Sequence, residues 1–152
     1  MSAESDPATN AWRSMRRLVL ELHDRRGAVS EATGMSYLRV KALSRLTSGP
    51  LTQRQLSDRL MTDAPYTSVI VDDLEQRGLV RREANPADRR SKLVRITAAG
   101  RAVARMAESI QSAPPAALAA LTGADLTALE QTLRTLLEES EGSGNGCGAD
   151  RG

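Results

Sequence analysis

The most constraining feature of this sequence is a pair of short, sharply bounded helical patterns between residues 51 and 78. In "LTQRQLSDRLM", Thr52 precedes Gln55 by three residues, a capping box in which each side chain satisfies a free backbone N–H group at the helix start. In "TDAPYTSVIVDDLEQRG", Asp63 is a typical N-cap, Pro65 suits the first turn, and Gly78 ends the helix. We therefore predict two helices joined by a tight turn. The predicted inward face of the second helix consists of Thr67, Ile70, Val71 and Leu74.

Two β-rich runs follow these helices. "LVRRE" (79–83) and "KLVRIT" (92–97) flank the charged loop "ANPADRRS", a pattern that predicts a hairpin. Helix, turn, helix and then a two-stranded ribbon is the order of a winged helix-turn-helix, whose second helix enters the DNA major groove. The predicted fold class is therefore mainly α with a small β-hairpin, arranged as a winged helix-turn-helix.

Apolar residues spaced by three and four positions predict further helices on both sides of this segment. One helix is expected over residues 11–22 and another over 36–46. After the hairpin, Thr97 is the expected cap of a long helix whose inward stripe is Val103, Met106 and Ile110. A last helix with a leucine-rich face is expected to begin near residue 122.

Composition favours one helical domain without a membrane span. The chain has 152 residues, about one domain's length, and contains no Phe, one Trp and two Tyr, so its core must be aliphatic. No apolar run is long enough for a membrane span or a signal peptide, and a cytoplasmic location is expected. Cys147 and His23 are the only residues of their types, which excludes an internal disulfide and argues against a zinc site in one chain.

The charge distribution says more than the net charge of +2. Residues 1–76 carry equal numbers of basic and acidic side chains, residues 77–105 carry nine against two, and residues 106–152 carry two against seven. A basic block of this kind is either a solvated face or a site for a polyanion. Four of its cations lie within residues 88–95, at the expected tip and return strand of the hairpin.

Catalytic chemistry has no support in the sequence. Adjacent acids such as Asp72 and Asp73 diverge in direction on a helix, so they do not form a general acid/base pair. There is no glycine-rich phosphate loop and no nucleophile elbow. We expect no catalytic residue, no metal ligand and no cofactor. His23 is expected to continue the first helix, solvated or facing a dimer partner, and Cys147, in a glycine-rich tail, is expected to be unreactive toward oxidants.

Three motifs in the same order and spacing resemble the MarR family of bacterial transcriptional regulators. They are "LTQRQLSDRL", "VDDLEQRGLVRRE" and "DRRSKLVRITAAG", the last being similar to that family's D-x-R-S wing and L-T-x-x-G helix start. The resemblance implies a homodimer in which the N- and C-terminal helices interlock and each winged helix meets half of a palindromic DNA operator. The expected domains are a flexible N-terminus (1–10), a dimerisation helix (11–35), the winged helix-turn-helix (36–97), C-terminal dimerisation helices (98–141) and a disordered tail (142–152).

The resemblance also assigns roles to individual residues. Arg90 matches the wing arginine that reaches the minor groove, and Asp88 matches the acid that braces it. The neighbouring cations are expected at phosphates, since narrow grooves and phosphates attract Arg and Lys. Base contacts are expected from the outward face of the second helix, through hydroxyl groups or through apolar contact with a thymine methyl. These further expected DNA-contacting residues are Arg54, Arg89, Lys92 and Arg95, together with Pro65, Tyr66, Ser68 and Val69.

The second helix also departs from the family pattern. The family often has Arg at the positions of Val69 and Asp73, whereas this helix has no outward cation before Arg77. Asp72, Asp73 and Glu75 are then expected near phosphates, so that affinity depends mainly on the wing.

Two functions of different classes remain open at this stage. The first is a DNA-binding regulator, typically a repressor, that a small aromatic or anionic effector releases from its operator. Trp12, Arg16 and Tyr37 are the expected effector contacts, although Trp12 also suits a dimer core. The second is an interaction module whose winged helix and leucine-rich helices bind proteins without specific DNA binding.

Overall fold

A computed structural model describes residues 6–144, which fall into two compact units divided after Ala113. The first unit contains six helices and three strands: α1 (Pro7–Arg17), a π-helical turn (Leu18–Leu22), α2 (Arg26–Thr33), α3 (Tyr37–Leu46), β1 (Leu51–Thr52), α4 (Gln53–Leu60), α5 (Ala64–Gln76), β2 (Val80–Ala84), β3 (Lys92–Ile96) and α6 (Ala98–Gln111). The second contains α7 (Ala116–Ala119) and α8 (Gly123–Gly144).

The predicted fold class is confirmed, with one more strand than expected. β1, β3 and β2 form an antiparallel sheet in that order, because Leu51 pairs with Val94 and Thr52 with Leu93. The capping box at the start of α4 is present as predicted, with the Gln55 N–H donating to Thr52 Oγ1 at 3.1 Å and the Thr52 N–H to Gln55 Oε1 at 2.9 Å. The same residues therefore end a strand and start the helix-turn-helix.

The core of the first unit lies where α3, α4, α5 and α6 meet the sheet. The four inward residues predicted for α5 are all fully buried, and Thr67 satisfies its hydroxyl by donating to the Asp63 carbonyl at 2.8 Å. Of the stripe predicted for α6, Val103 and Ile110 pack against this core and Met106 does not. The buried side of α6 consists of Gly100, Ala104 and Ala107, with Val103 and Ile110 half-buried and Met106 exposed.

The N-terminal segment differs from the single helix expected over 11–22. α1 begins at Pro7 because Asp6 caps it, accepting from the Thr9 N–H at 3.1 Å. Residues 7–10, which the sequence assigned to the N-terminal segment, therefore belong to a helix. A π-turn then closes at His23, whose N–H donates to the Leu18 carbonyl, so His23 ends the helix instead of continuing it.

Two helices, α2 and α7, were not predicted. α2 places Val29 fully in the core and ends at Gly34, which has a left-handed backbone (φ 65°). At the other end, α8 continues to Gly144, beyond the start of the tail predicted from residue 142. The rest of that tail, including Cys147, lies outside the described residues.

Met61 connects α4 to α5 in a left-handed conformation (φ 55°, ψ 47°) and is 85% exposed. An L-residue with a side chain is strained there, whereas glycine is not. We expect Met61→Gly to raise the free energy of unfolding by about 0.5–1 kcal/mol, as measured by urea denaturation. An unchanged or lower stability would show that the Met61 side chain makes compensating contacts.

Candidate nucleic-acid interface

α5 presents a defined outward face. Asp63 caps the helix by accepting from the Tyr66 N–H at 2.7 Å, and Pro65 occupies the first turn. Because the inward face is fully buried, the opposite face is left to the solvent. Pro65, Tyr66 and Val69 are exposed and Ser68 is half-buried on this face, so the four residues expected to contact bases share one surface.

The acids of α5, which the sequence places near phosphates, form ion pairs within the protein. Arg82 of β2 donates through Nη2 to Asp72 Oδ1 and through Nη1 to Glu75 Oε2, both at 2.5 Å. Asp73 Oδ2 accepts from Arg39 Nε at 2.7 Å and from Arg77 Nε at 2.9 Å. These ion pairs tie α5 to β2 and to α3.

Asp73 is the most enclosed of these acids. Desolvation raises the pKa of its carboxyl, but the hydrogen bonds and charges of Arg77 and Arg39 outweigh that effect, so the net pKa is lowered below 3.8. The ion pairs therefore contribute stability that is fully present above the unfolded-state pKa and is lost as the pH falls through the lower folded-state pKa.

We expect Asp73→Asn to lower the free energy of unfolding at pH 6 by about 1 kcal/mol, because it removes the charge that pairs with Arg39 and Arg77. At pH 3 the difference between variant and wild type is expected to shrink. Urea denaturation at the two pH values measures both differences. A deficit of the same size at both would contradict the assigned ion pairs.

The wing is the β2–β3 hairpin and its tip, residues 80–96. Its tip is held by its own polar groups: Asn85 Nδ2 donates to Ser91 Oγ, and the Arg90 N–H donates to Asp88 Oδ1, both at 2.9 Å. Asp88 thus holds the backbone at Arg90, whereas the resemblance implied a brace on the wing arginine itself. The effect is a fixed turn that projects the Arg90 side chain.

The cations of the wing divide into two groups. Glu83 accepts from Arg95 Nε at 2.7 Å, and its carboxyl has a lowered pKa chiefly because of that bond. Arg95, predicted to meet phosphates, is therefore already compensated. Within the described residues, the side chains of Arg89, Arg90 and Lys92 have neither a hydrogen bond nor an ion pair.

A cleft of about 430 Å³ separates the start of α4 from the wing. It brings Arg54, which also has no side-chain partner in the described part of the chain, together with Arg90 and Lys92. Sequence reasoning had named these three but not their common cleft. The other residues that line it are Thr52, Gln53, Arg82, Asp88, Ser91 and Val94. The periodicity of apolar residues could not have identified the polar residues of this cleft. Their positions in the sequence, at the start of a helix and beside a charged turn, could have identified them.

Trp12, Arg16 and Tyr37 are the residues expected to contact the effector. No described hydrogen bond connects any two of them. Trp12 and Arg16 lie exposed on α1, which has no buried residue, and Trp12 is 66% exposed. Tyr37 begins α3, packs against the core and donates its hydroxyl to Gln111 Oε1 at 3.4 Å. Within residues 6–144, no group of His, Cys, Asp and Glu could hold a metal ion, and no helix is long and apolar enough to cross a membrane.

Several solved structures are similar to this chain in fold. A MarR family protein from Bacillus stearothermophilus is 21% identical, with a TM-score of 0.76 over 88% of this chain and 95% of its own. The transcriptional regulator BldR from Sulfolobus solfataricus is 25% identical, with a TM-score of 0.59 over 87% and 93%. AbsC, a MarR family transcriptional regulator from Streptomyces coelicolor, is 22% identical, with a TM-score of 0.60 over 91% and 97%.

The sequence itself carries a more specific match. No curated protein matches it, but residues 33–91, from the end of α2 to the wing, match the model of the MarR family. Members of that family are transcriptional regulators and not enzymes, in agreement with the expectation from the sequence. Residues 33–91 therefore resemble the MarR family in sequence, and the chain has the winged helix-turn-helix fold of MarR-family transcriptional regulators.

Proposed function

We propose that this chain binds double-stranded DNA as a homodimer and thereby regulates transcription. The observation that carries the proposal is a division of charge. The acids of α5 are bound to Arg82, Arg39 and Arg77, while Arg54, Arg90 and Lys92 keep uncompensated charges around one cleft. A surface arranged in this way attracts a polyanion.

The proposed contacts follow from the two elements that form this surface. α5 enters the major groove, where hydroxyl groups of Tyr66 and Ser68 bond base edges and Pro65 and Val69 meet thymine methyl groups. The wing lies along the neighbouring minor groove, which Arg90 enters. Arg54, Arg89 and Lys92 contact phosphates. Arg95 is left out of this set because Glu83 holds it.

Dimerisation is supported by apolar surface in each unit. In the first unit, Trp12, Val19 and Leu22 are exposed on α1 and the π-turn. In the second, Leu136 and Leu137 are exposed on α8. Small subunits gain core by pairing, and a second copy of the chain is the partner that the resemblance implies.

We expect the full chain to sediment as a dimer at micromolar concentration, because pairing removes these apolar side chains from water. Removing residues 113–152 deletes the leucine-rich α8 and is expected to shift the protein toward monomer. Analytical ultracentrifugation measures both. A monomeric full-length chain would contradict the homodimer.

Repression and effector release are proposed from the resemblance alone. A small aromatic or anionic molecule would bind near Trp12, Arg16 and Tyr37 and favour dimers whose recognition helices are wrongly spaced for the operator. The protein is expected to act in the cytoplasm, on an operator of two half-sites.

A salt titration tests the proposed function against the alternative of a protein-interaction module. Binding to a fluorescent mixed-sequence duplex is measured by anisotropy between 50 and 200 mM salt. Contacts to about 6–10 phosphates in the dimer predict a loss of affinity of about 10³- to 10⁵-fold over this range. An absence of binding to duplex DNA at the lowest salt concentration would overturn the proposal and favour the interaction module.

A further inference from the structure

Arg82 connects the wing to the recognition helix α5 through three hydrogen bonds. Its backbone N–H donates to Glu75 Oε1 at 3.0 Å, Nη1 donates to Glu75 Oε2 and Nη2 to Asp72 Oδ1, both at 2.5 Å. The Arg82 side chain is only 22% exposed, whereas those of Asp72 and Glu75 are 57% and 41% exposed. The bridge is therefore enclosed on the arginine side and open on the side of the two acids.

The two acids belong to the surface proposed to meet DNA. Asp72 lies one helical turn after Val69, and Glu75 one turn after Asp72, so the three residues follow each other along α5. A free carboxylate at this place would repel nearby phosphates. Because one arginine compensates two carboxylates, the bridge as a whole still carries one net negative charge. Arg82 therefore contributes little as a direct phosphate ligand.

We propose that Arg82 is a positioning residue for DNA binding: it offsets one of the two negative charges of Asp72 and Glu75 and holds both carboxylates in ion pairs with β2, so that they do not repel the phosphates next to the recognition helix. This inference rests on the proposed DNA-binding function. The competing role, a direct contact between Arg82 and a phosphate in the cleft that it lines beside Arg90, predicts a different result below.

Three variants separate these roles: Arg82→Gln, Arg82→Lys, and a triple variant with Asp72→Asn, Glu75→Gln and Arg82→Gln. Arg82→Gln exposes two unpaired carboxylates, and we expect about tenfold weaker binding to a mixed-sequence duplex at 50 mM salt. The triple variant removes those carboxylates as well, so its affinity is expected to return to within about threefold of wild type. Arg82→Lys keeps the charge and is also expected within about threefold.

Arg81→Gln is the matched control for the loss of one positive charge. Arg81 is the neighbour of Arg82 in β2, and its ion pair from Nε to Glu83 Oε2 is long at 3.7 Å. We expect an effect of less than about threefold on DNA affinity. Urea denaturation of the same proteins distinguishes positioning from a general loss of structure. Arg82→Gln and the triple variant both lack the bridge and are both expected to be less stable than wild type, yet only the triple variant regains affinity.

The outcomes are distinct. If the triple variant binds as weakly as Arg82→Gln while wild type binds well, Arg82 contacts DNA directly or acts only through stability, and the inference is overturned while the proposed function stands. If Arg82→Gln binds as tightly as wild type, the inference is likewise overturned. If wild type itself does not bind the duplex, the proposed function fails and the inference fails with it.

Discussion

Replacing Gly100 by alanine is expected to lower the free energy of unfolding by about 2–3 kcal/mol, the upper part of the range for an overpacked core position. A Cβ at this position would lie inside contact distance of the Leu79 carbonyl oxygen and 2.7 Å from Ile96 Cγ1. The carbonyl cannot move away freely, because the Thr97 N–H donates to it at 3.0 Å. Thr97 also caps α6 by accepting from the Gly100 N–H at 3.1 Å. The start of α6, in the "TAAG" sequence, thus packs directly against the backbone of Leu79, between α5 and the wing.

Gly27→Ala is the matched control for this prediction. Gly27 lies within α2, and a Cβ there would meet no atom within 4 Å. Alanine is favoured over glycine in a helix, so this variant is expected to be as stable as wild type or more stable by up to about 1 kcal/mol. Urea denaturation followed by circular dichroism measures both variants. Equal stability of Gly100→Ala and wild type would show that α6 does not approach Leu79 this closely.

Replacing Arg90 by alanine is expected to weaken DNA binding by about 1–3 kcal/mol per contact, and twice over in a symmetric dimer. Arg90 is exposed at the tip of the wing, and its side chain has no partner within the described residues. Its removal therefore breaks no side-chain hydrogen bond or ion pair within the described residues, and helix content and dimerisation are expected to stay unchanged. A fall in affinity without a fall in stability is the signature of a direct DNA contact.

Two further variants serve as comparisons for Arg90→Ala. Arg134 is paired with Glu130 on the surface of α8, at 2.5 Å, so Arg134→Ala removes the same charge far along the chain from the wing. We expect it to have much less effect on DNA affinity. Asp88→Ala removes the acceptor of the Arg90 N–H, loosens the turn and is expected to reproduce part of the Arg90 loss.

The helix-turn-helix was predictable because its signals are local. The capping box of Thr52 and Gln55, the cap at Asp63 and the stop at Gly78 each depend on residues a few positions apart. The buried face of α5 follows from helical periodicity in the same way. These features positioned the expected base contacts on one surface.

The missed features depend on packing between distant segments. β1 is two residues long and exists because it pairs with β3, about forty residues later. α6 buries Gly100, Ala104 and Ala107 because it packs closely on α2 and α3, so the small residues, and not Met106, face the core. α2 has one fully buried apolar residue, Val29, which is too few to reveal a period.

Charge in the candidate site was the least predictable property. The sequence shows that α5 carries three acids. It does not show that Arg82 contacts two of them from β2, or that Arg39 contacts Asp73 from α3. Likewise, the sequence groups Arg95 with the other cations of the wing, although Arg95 forms an ion pair with Glu83 on the neighbouring strand. Pairing of this kind follows from strand register and helix packing, which composition does not contain.

The most direct test of the account is fluorescence anisotropy with a labelled duplex at two salt concentrations, comparing wild type, Arg90→Ala and Arg134→Ala. The account predicts that Arg90→Ala binds more weakly and has a shallower salt dependence than wild type, while Arg134→Ala stays close to wild type. If Arg90→Ala binds as tightly as wild type with the same salt dependence, the charged stretch at residues 88–95 is a solvated hairpin, and the wing is not the DNA-binding element.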